Sequence, residues 1–204
     1  MSTMLLGKQN GTAQAKAGIE RFMPTYEVMH RHEIHVDAPP DLTWAAAYGL
    51  RMERSWLIRL IFAMRTWPAR LRGTQSEPIE AGMIARMLCI GWGALAEEPG
   101  KRIVMGAVCQ PWKREVVFKP LAPDAFASFN TPGYAKIVWT IEVDMAPDGT
   151  SIARTETRVV TTDPASRQRF RAYWSTVQPG VALIRRLALR MVKKEAERAV
   201  DTAA

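Results

Sequence analysis

Residues 135–164 read AKIVWTIEVDMAPDGTSIARTETRVVTTDP, and this stretch decides the fold. In its first third Ala135, Ile137, Trp139, Ile141 and Val143 alternate with Lys136, Thr140, Glu142 and Asp144, the period-two pattern of a strand with one apolar face. Asp148-Gly149 then turns the chain into a second run, Ser151 to Thr162; an Asp-Gly pair between alternating segments predicts a β-hairpin. Asp163-Pro164 opens a helix, with an N-cap candidate followed by proline at the first helical position, where the missing N–H costs nothing.

Downstream of the hairpin, Phe170, Tyr173, Trp174 and Val177 repeat at helical spacing. Pro179-Gly180 predicts an interruption, after which Val181, Ile184, Leu187, Ala188, Met191 and Val192 fall in one arc with Arg186, Arg190, Lys193 and Lys194 opposite. A jointed terminal helix, aromatic first and basic-backed second, is the expectation. Upstream, strands punctuated by turns are predicted at Met87–Ala96, Arg102–Gln110 and Glu115–Lys119, with a short one at Phe126–Phe129. The first strand spans Tyr26–Val36, and two short helices follow it, one holding Leu42, Trp44, Ala45 and Tyr48, the other Trp56, Leu57, Leu60, Ile61 and Met64. Residues 73–82 read as a loop or loose turn. Residues 1–22 read as a flexible N-terminal arm and 23–200 as one α+β domain.

The chain has 204 residues, ordinary globular composition and a net charge of +8. Residues 1–50 carry −1, 51–72 carry +5, 73–163 carry −2 and 164–204 carry +6, so the basic character sits in two helical segments. A solvated face, a phosphate-attracting surface and a seat for anionic lipid all fit that excess. Two cysteines, Cys89 and Cys109, make no disulfide framework, which together with the lack of a signal-peptide pattern gives a cytoplasmic expectation. No segment has the uninterrupted apolar length of a membrane span, and no motif supports nucleic-acid binding.

Several stretches resemble the START-like, or SRPBCC, helix-grip superfamily and in particular an uncharacterised bacterial branch of it. They are SWLIRLIFAMR at 55–65, IVMGAV at 103–108 with Trp112 after it, TPGYAK at 131–136, TETRV at 155–159, FRAYW at 170–174, Pro179-Gly180 and LIRR at 183–186. The likeness covers most of residues 24–198. It implies a curved antiparallel sheet wrapped around the long C-terminal helix, with a deep cavity between them of the kind the superfamily uses for lipids, sterols and polyketides. Cyclases, lipid carriers and oxygenases all occur among its members, so fold alone does not imply one activity. The Cys/His cluster of an iron–sulfur domain is missing here, which excludes the oxygenase type, and no cofactor is expected.

Candidate site residues follow from direction. His30 and His32 share one otherwise apolar strand face; they read as hydrogen-bonded wall residues, since metal ligation would need further ligands that spacing does not identify. Glu156 and Arg158 share a face whose ends are apolar, which fits a polar patch in a cavity and fits a wet outer face as well. Arg185 lies inside the apolar arc of the last helix and needs a carboxylate if buried, for which Glu156 is the proposed partner. Met105, Trp112, Trp139, Tyr173 and Trp174 sit on elements expected to bound the pocket. The leading expectation is non-catalytic binding of a small apolar ligand. A cyclase-like enzyme would require His30, His32, Glu156 and Arg158 to converge, and docking on an anionic membrane would use the basic helices. Nothing in the sequence sets an oligomeric state.

Overall fold

The computed structural model describes residues 18–51 and 82–203. Its elements are α1 (Ile19–Phe22), β1 (Val28–Val36), α2 (Pro40–Tyr48), α3 (Met83–Cys89), β2 (Gly93–Glu98), β3 (Arg102–Cys109), α4 (Pro123–Ser128), β4 (Ala135–Met145), β5 (Ser151–Thr161) and α5 (Pro164–Ala203). The five strands form one antiparallel, curved sheet in the order β1-β5-β4-β3-β2. The long C-terminal helix crosses one face, which is the α+β arrangement the resemblance implies. The second predicted helix, at Trp56–Met64, and nearly all of the loop 73–82 lie outside the described residues.

The hairpin forms as its pattern requires. Gly149 adopts a φ of 84° in the turn, and β4 pairs with β5 from Ala135↔Thr161 to Met145↔Ser151. Directly paired residues share a sheet face, so register alone sorts every side chain. Odd positions of β3, β4 and β5 and even positions of β1 face α5, where Val36, Ile103, Met105, Ile141, Val143 and Ala153 pack with Leu189, Val192 and Ala196. The opposite parity faces outward, yet much of that side is covered too. Ile19, Phe22 and Met23 pack there with Phe126 of α4 against Val104, Val108 and Val138. Gly106 makes room for this second layer: a Cβ on it would sit 2.5 Å from Leu95 and 3.0 Å from Phe126.

Asp163 caps α5 as its sequence predicts, accepting from the Ser166 N–H at 2.8 Å and the Ser166 hydroxyl at 2.6 Å, with a further bond from the Gly133 N–H. At the far end the Thr43 hydroxyl donates to Ser151, and Ser151 donates to the carbonyl of Ala38, tying α2 to the sheet inside the core.

Several expectations about elements are corrected. The segment Met87–Ala96 divides into helix α3 and strand β2 at Gly91, whose φ is 101°; a short apolar run does not by itself distinguish the two states. Phe126 lies in a helix, started by Pro123 in its first turn, and so buries one aromatic ring where a strand would have spread two. Residues 115–119 contribute one bridge, Lys119 to Val108. Pro179 does not divide the terminal helix, which is continuous from Pro164 to Ala203. Residues 18–22, at the inner end of the expected arm, are packed against the sheet.

Candidate functional site

The helix-facing side of the sheet is built from cross-strand rows. Val28, Val159, Ile137 and Ala107 form one; His30, Thr157, Trp139 and Met105 the next; His32, Thr155, Ile141 and Ile103 the third. Two of the three rows thus carry a histidine on β1, a threonine on β5 and apolar side chains beyond. The sequence candidates His30, His32, Met105 and Trp139 share this side. Trp112, Tyr173 and Trp174 gather at its aromatic end, packed around Ala135, Val159 and Phe170. Trp174 stacks on Phe170 with ring centroids 5.6 Å apart and lies 5.4 Å from the His30 ring.

Above these rows α5 changes character along its length. Phe170 anchors its beginning and Leu189, Val192 and Ala196 its end, all fully buried. From 171 to 188 no side chain is fully buried, although Tyr173, Trp174, Val177, Val181, Ile184, Leu187 and Ala188 are half-buried there. Beneath that stretch, Nδ1 of His32 and the hydroxyl of Thr157 are buried without a hydrogen-bond partner among the described residues, as is Nε1 of Trp112 at the aromatic end. Neighbouring Thr155 is satisfied, donating to the carbonyl of Thr140 at 2.8 Å. Buried polar groups in folded proteins are nearly always bonded.

Arg185 occupies the middle of this region. Its Nη1 donates to the carbonyl oxygen of His30 at 3.1 Å, and burial brings its pKa down to about 10. Both imidazoles are held below their ordinary value, first by burial and then by the Arg185 charge. Among the described residues no group of three potential metal ligands forms around them.

Glu156 and Arg158 do not join the site. Glu156 pairs in register with Arg31 and Thr140, and Arg158 with Met29 and Val138, which sends both to the outer face. There the guanidinium of Arg158 donates to Glu156 at 2.7 Å, Glu20 at 2.7 Å and the carbonyl of Met23 at 3.0 Å, and lies 4.8 Å from the Tyr26 ring centroid. Neither the cavity patch nor the wet surface is what forms: the pair is on the outer face but covered by residues 18–23, each partner only 8% exposed. The proposed Arg185–Glu156 pair is therefore replaced by Arg185 on a main-chain carbonyl and Glu156 on Arg158, and the four-residue constellation required for cyclase-like chemistry does not converge. The spacing of Ile19, Phe22 and Met23 at i, i+3, i+4 was the sequence signal for this cover.

Two clefts lie elsewhere. One of about 370 Å³ is lined by Gln110, Lys113, Arg114, Glu115, Lys119 and Tyr134. The other, about 100 Å³, lies over the outer face between Glu20, Arg31, Arg102, Glu142 and Arg154. No helix among the described residues is long and apolar enough to cross a membrane.

No protein-family model and no curated protein matches the sequence. Solved structures similar to the chain include an uncharacterised protein from Rhizobium leguminosarum (12% identity, 85% of this chain and 97% of that chain, TM-score 0.37). Ara h 8.0201 (10%, 84% and 98%, TM-score 0.31) and the Zhui aromatase/cyclase from Streptomyces sp. R1128 (16%, 85% and 95%, TM-score 0.27) are also similar. At these scores function has to be argued from the chain's own geometry.

Proposed function

We propose that the chain binds a small, largely apolar ligand between the middle of α5 and the rows centred on His30, Thr157 and Trp139. The observation that carries this reading is a helix anchored at both ends but not fully packed between them, above buried polar atoms without a partner among the described residues. Such a surface combines adaptable apolar walls with a few fixed polar groups, the usual make-up of a small-molecule site. Aromatic side chains at one end and Met105 and Trp139 on the sheet supply contact area, while the Thr157 hydroxyl and His32 Nδ1 would orient a polar group of the ligand. Burial of apolar surface supplies the affinity, at about 25 cal/mol per Å² before ordering costs. Sequestration or transport is the role this reading favours, with Glu156 and Arg158 on the opposite face from His30 and His32.

The test is uptake of a neutral apolar probe, N-phenyl-1-naphthylamine, by the full chain. Enhanced probe fluorescence, energy transfer from tryptophan, and loss of both in Trp139→Ala with an unchanged circular dichroism spectrum are expected. A chain that takes up no probe, and from which organic extraction releases no small molecule, overturns the reading.

A second reading has its own observation. Arg186, Arg190, Lys194 and Arg198 are all exposed at four-residue intervals on the back of α5, whereas Lys193 is engaged by Asp37 and Glu197. This row suits docking on an anionic membrane during ligand exchange, and sedimentation with vesicles should rise with their anionic lipid content and fall with salt.

A further inference from the structure

The helix-facing side of the sheet is almost devoid of negative charge. On β1, β3, β4 and β5 the acidic residues are Glu33, Glu142, Asp144 and Glu156, and register places all four on the outer face. There they are matched: Glu33, Arg154, Glu142, Arg102 and Glu98 form one alternating row across all five strands, with Arg154 also bonded to Asp144 at 2.6 Å. Residues 164–194 of the helix offer no counter-charge either, since they contain no Asp or Glu. Among the described residues Arg185 therefore enters the helix–sheet interface with no carboxylate in reach and with one N–H on the His30 carbonyl as its hydrogen bond. Burying a guanidinium without a counter-ion is costly, and sites that do so pair it with an anion when occupied.

We propose that the ligand of this site is an amphipathic anion, whose carboxylate or phosphate head pairs with Arg185 between His30 and His32 while its apolar body lies along Trp139, Met105 and the aromatic end. This rests on the apolar-ligand reading above and adds the head group to it. The guanidinium donates two parallel N–H bonds to such a head, and the Thr157 hydroxyl lies in the same cross-strand row as His30 to complete its contacts.

Tryptophan fluorescence titrations of the full chain with sodium dodecanoate, dodecyl phosphate and dodecanol test this directly, with sodium acetate and inorganic phosphate as headgroup-only controls. At least one twelve-carbon anion should bind about tenfold or more tightly than dodecanol, and acetate and phosphate alone should bind far more weakly. Arg185→Gln should abolish the anion's advantage over dodecanol, and Arg185→Lys should retain part of it. Equal binding of anions and alcohol by the unmodified chain overturns the head-group assignment and leaves the apolar-ligand reading standing. Binding of none of the three twelve-carbon probes overturns both.

Discussion

Thr155 and Thr157 are two residues apart on one strand face, and the difference between them is a single hydrogen bond. The Thr155 hydroxyl donates to the Thr140 carbonyl; the Thr157 hydroxyl has no partner among the described residues. Replacing Thr155 by Val should cost about 1 kcal/mol of stability, whereas Thr157→Val should be neutral or stabilising in the free protein and weaken ligand binding. Urea unfolding of the two variants checks the first part, and probe titration the second. His30 and His32 carry a pH signature of their own. Burial, then Arg185, lowers both pKa values below 6.5, and for His32 Arg186 and His30 add to the effect. Below pH 6.5 the unfolded chain consequently binds more protons than the folded one. Their contribution to stability is complete above that pH and is lost as pH falls beneath it. Thermal unfolding between pH 7.5 and about 5 should show this fall, and the His30→Gln/His32→Gln variant should reduce its slope. Asp163 acts in a lower window. Its bonds from Ser166 and Gly133 bring its pKa to about 2, so the stability it adds is present above about pH 4 and disappears as pH falls through 2.

At the scale of elements, α5 runs through Pro179 even though proline removes a backbone donor and crowds the preceding turn. Pro179→Ala should stabilise the chain, by up to about 3 kcal/mol, as measured by urea unfolding. The hairpin, the helix cap at Asp163 and the amphipathic helix were legible because each depends on neighbours in sequence: alternation, an Asp-Gly turn, a capping residue. The continuity of α5 was not, because contacts at Phe170 and at Leu189, Val192 and Ala196 override a local breaker. Helix α3 was hidden for a related reason. Met87, Leu88, Cys89 and Ile90 are equally suited to a strand, and the division falls at Gly91. There the backbone is left-handed, and the Phe118 carbonyl, 2.7 Å from where a Cβ would sit, leaves no space for a side chain. Gly91→Ala should lower the melting temperature for both reasons.

For the molecule as a whole, parity along the strands separates two chemistries. One side holds imidazoles, threonines, tryptophan and an arginine with no carboxylate partner among the described residues; the other holds matched ion pairs, of which Arg158–Glu156 lies beneath residues 18–23. Which side Glu156 and Arg158 occupied could be read from strand parity alone. What buried them could not, because the covering segment is distant in sequence and short. Arg158→Ala should destabilise the chain by about 3 kcal/mol or more, since it strands Glu156 and releases Glu20 and the Met23 carbonyl. The double variant Arg158→Met/Glu156→Leu should recover much of that loss, and chemical denaturation of both decides it.

Arg185 and Lys193 share one further property: each gives an N–H to a main-chain oxygen of β1, the former at His30 and the latter at His35, at 3.0 Å. Among the described residues β1 is a terminal strand of the sheet, and an unsatisfied terminal strand is a template on which another chain can lengthen the sheet. Residues 30 and 35 have opposite parity, so one of these carbonyls points toward β5 and the other away from the sheet, and a helix cation occupies that one edge acceptor. Arg185→Met/Lys193→Met frees that acceptor, and this variant should sediment as larger species at concentrations where the unmodified chain does not.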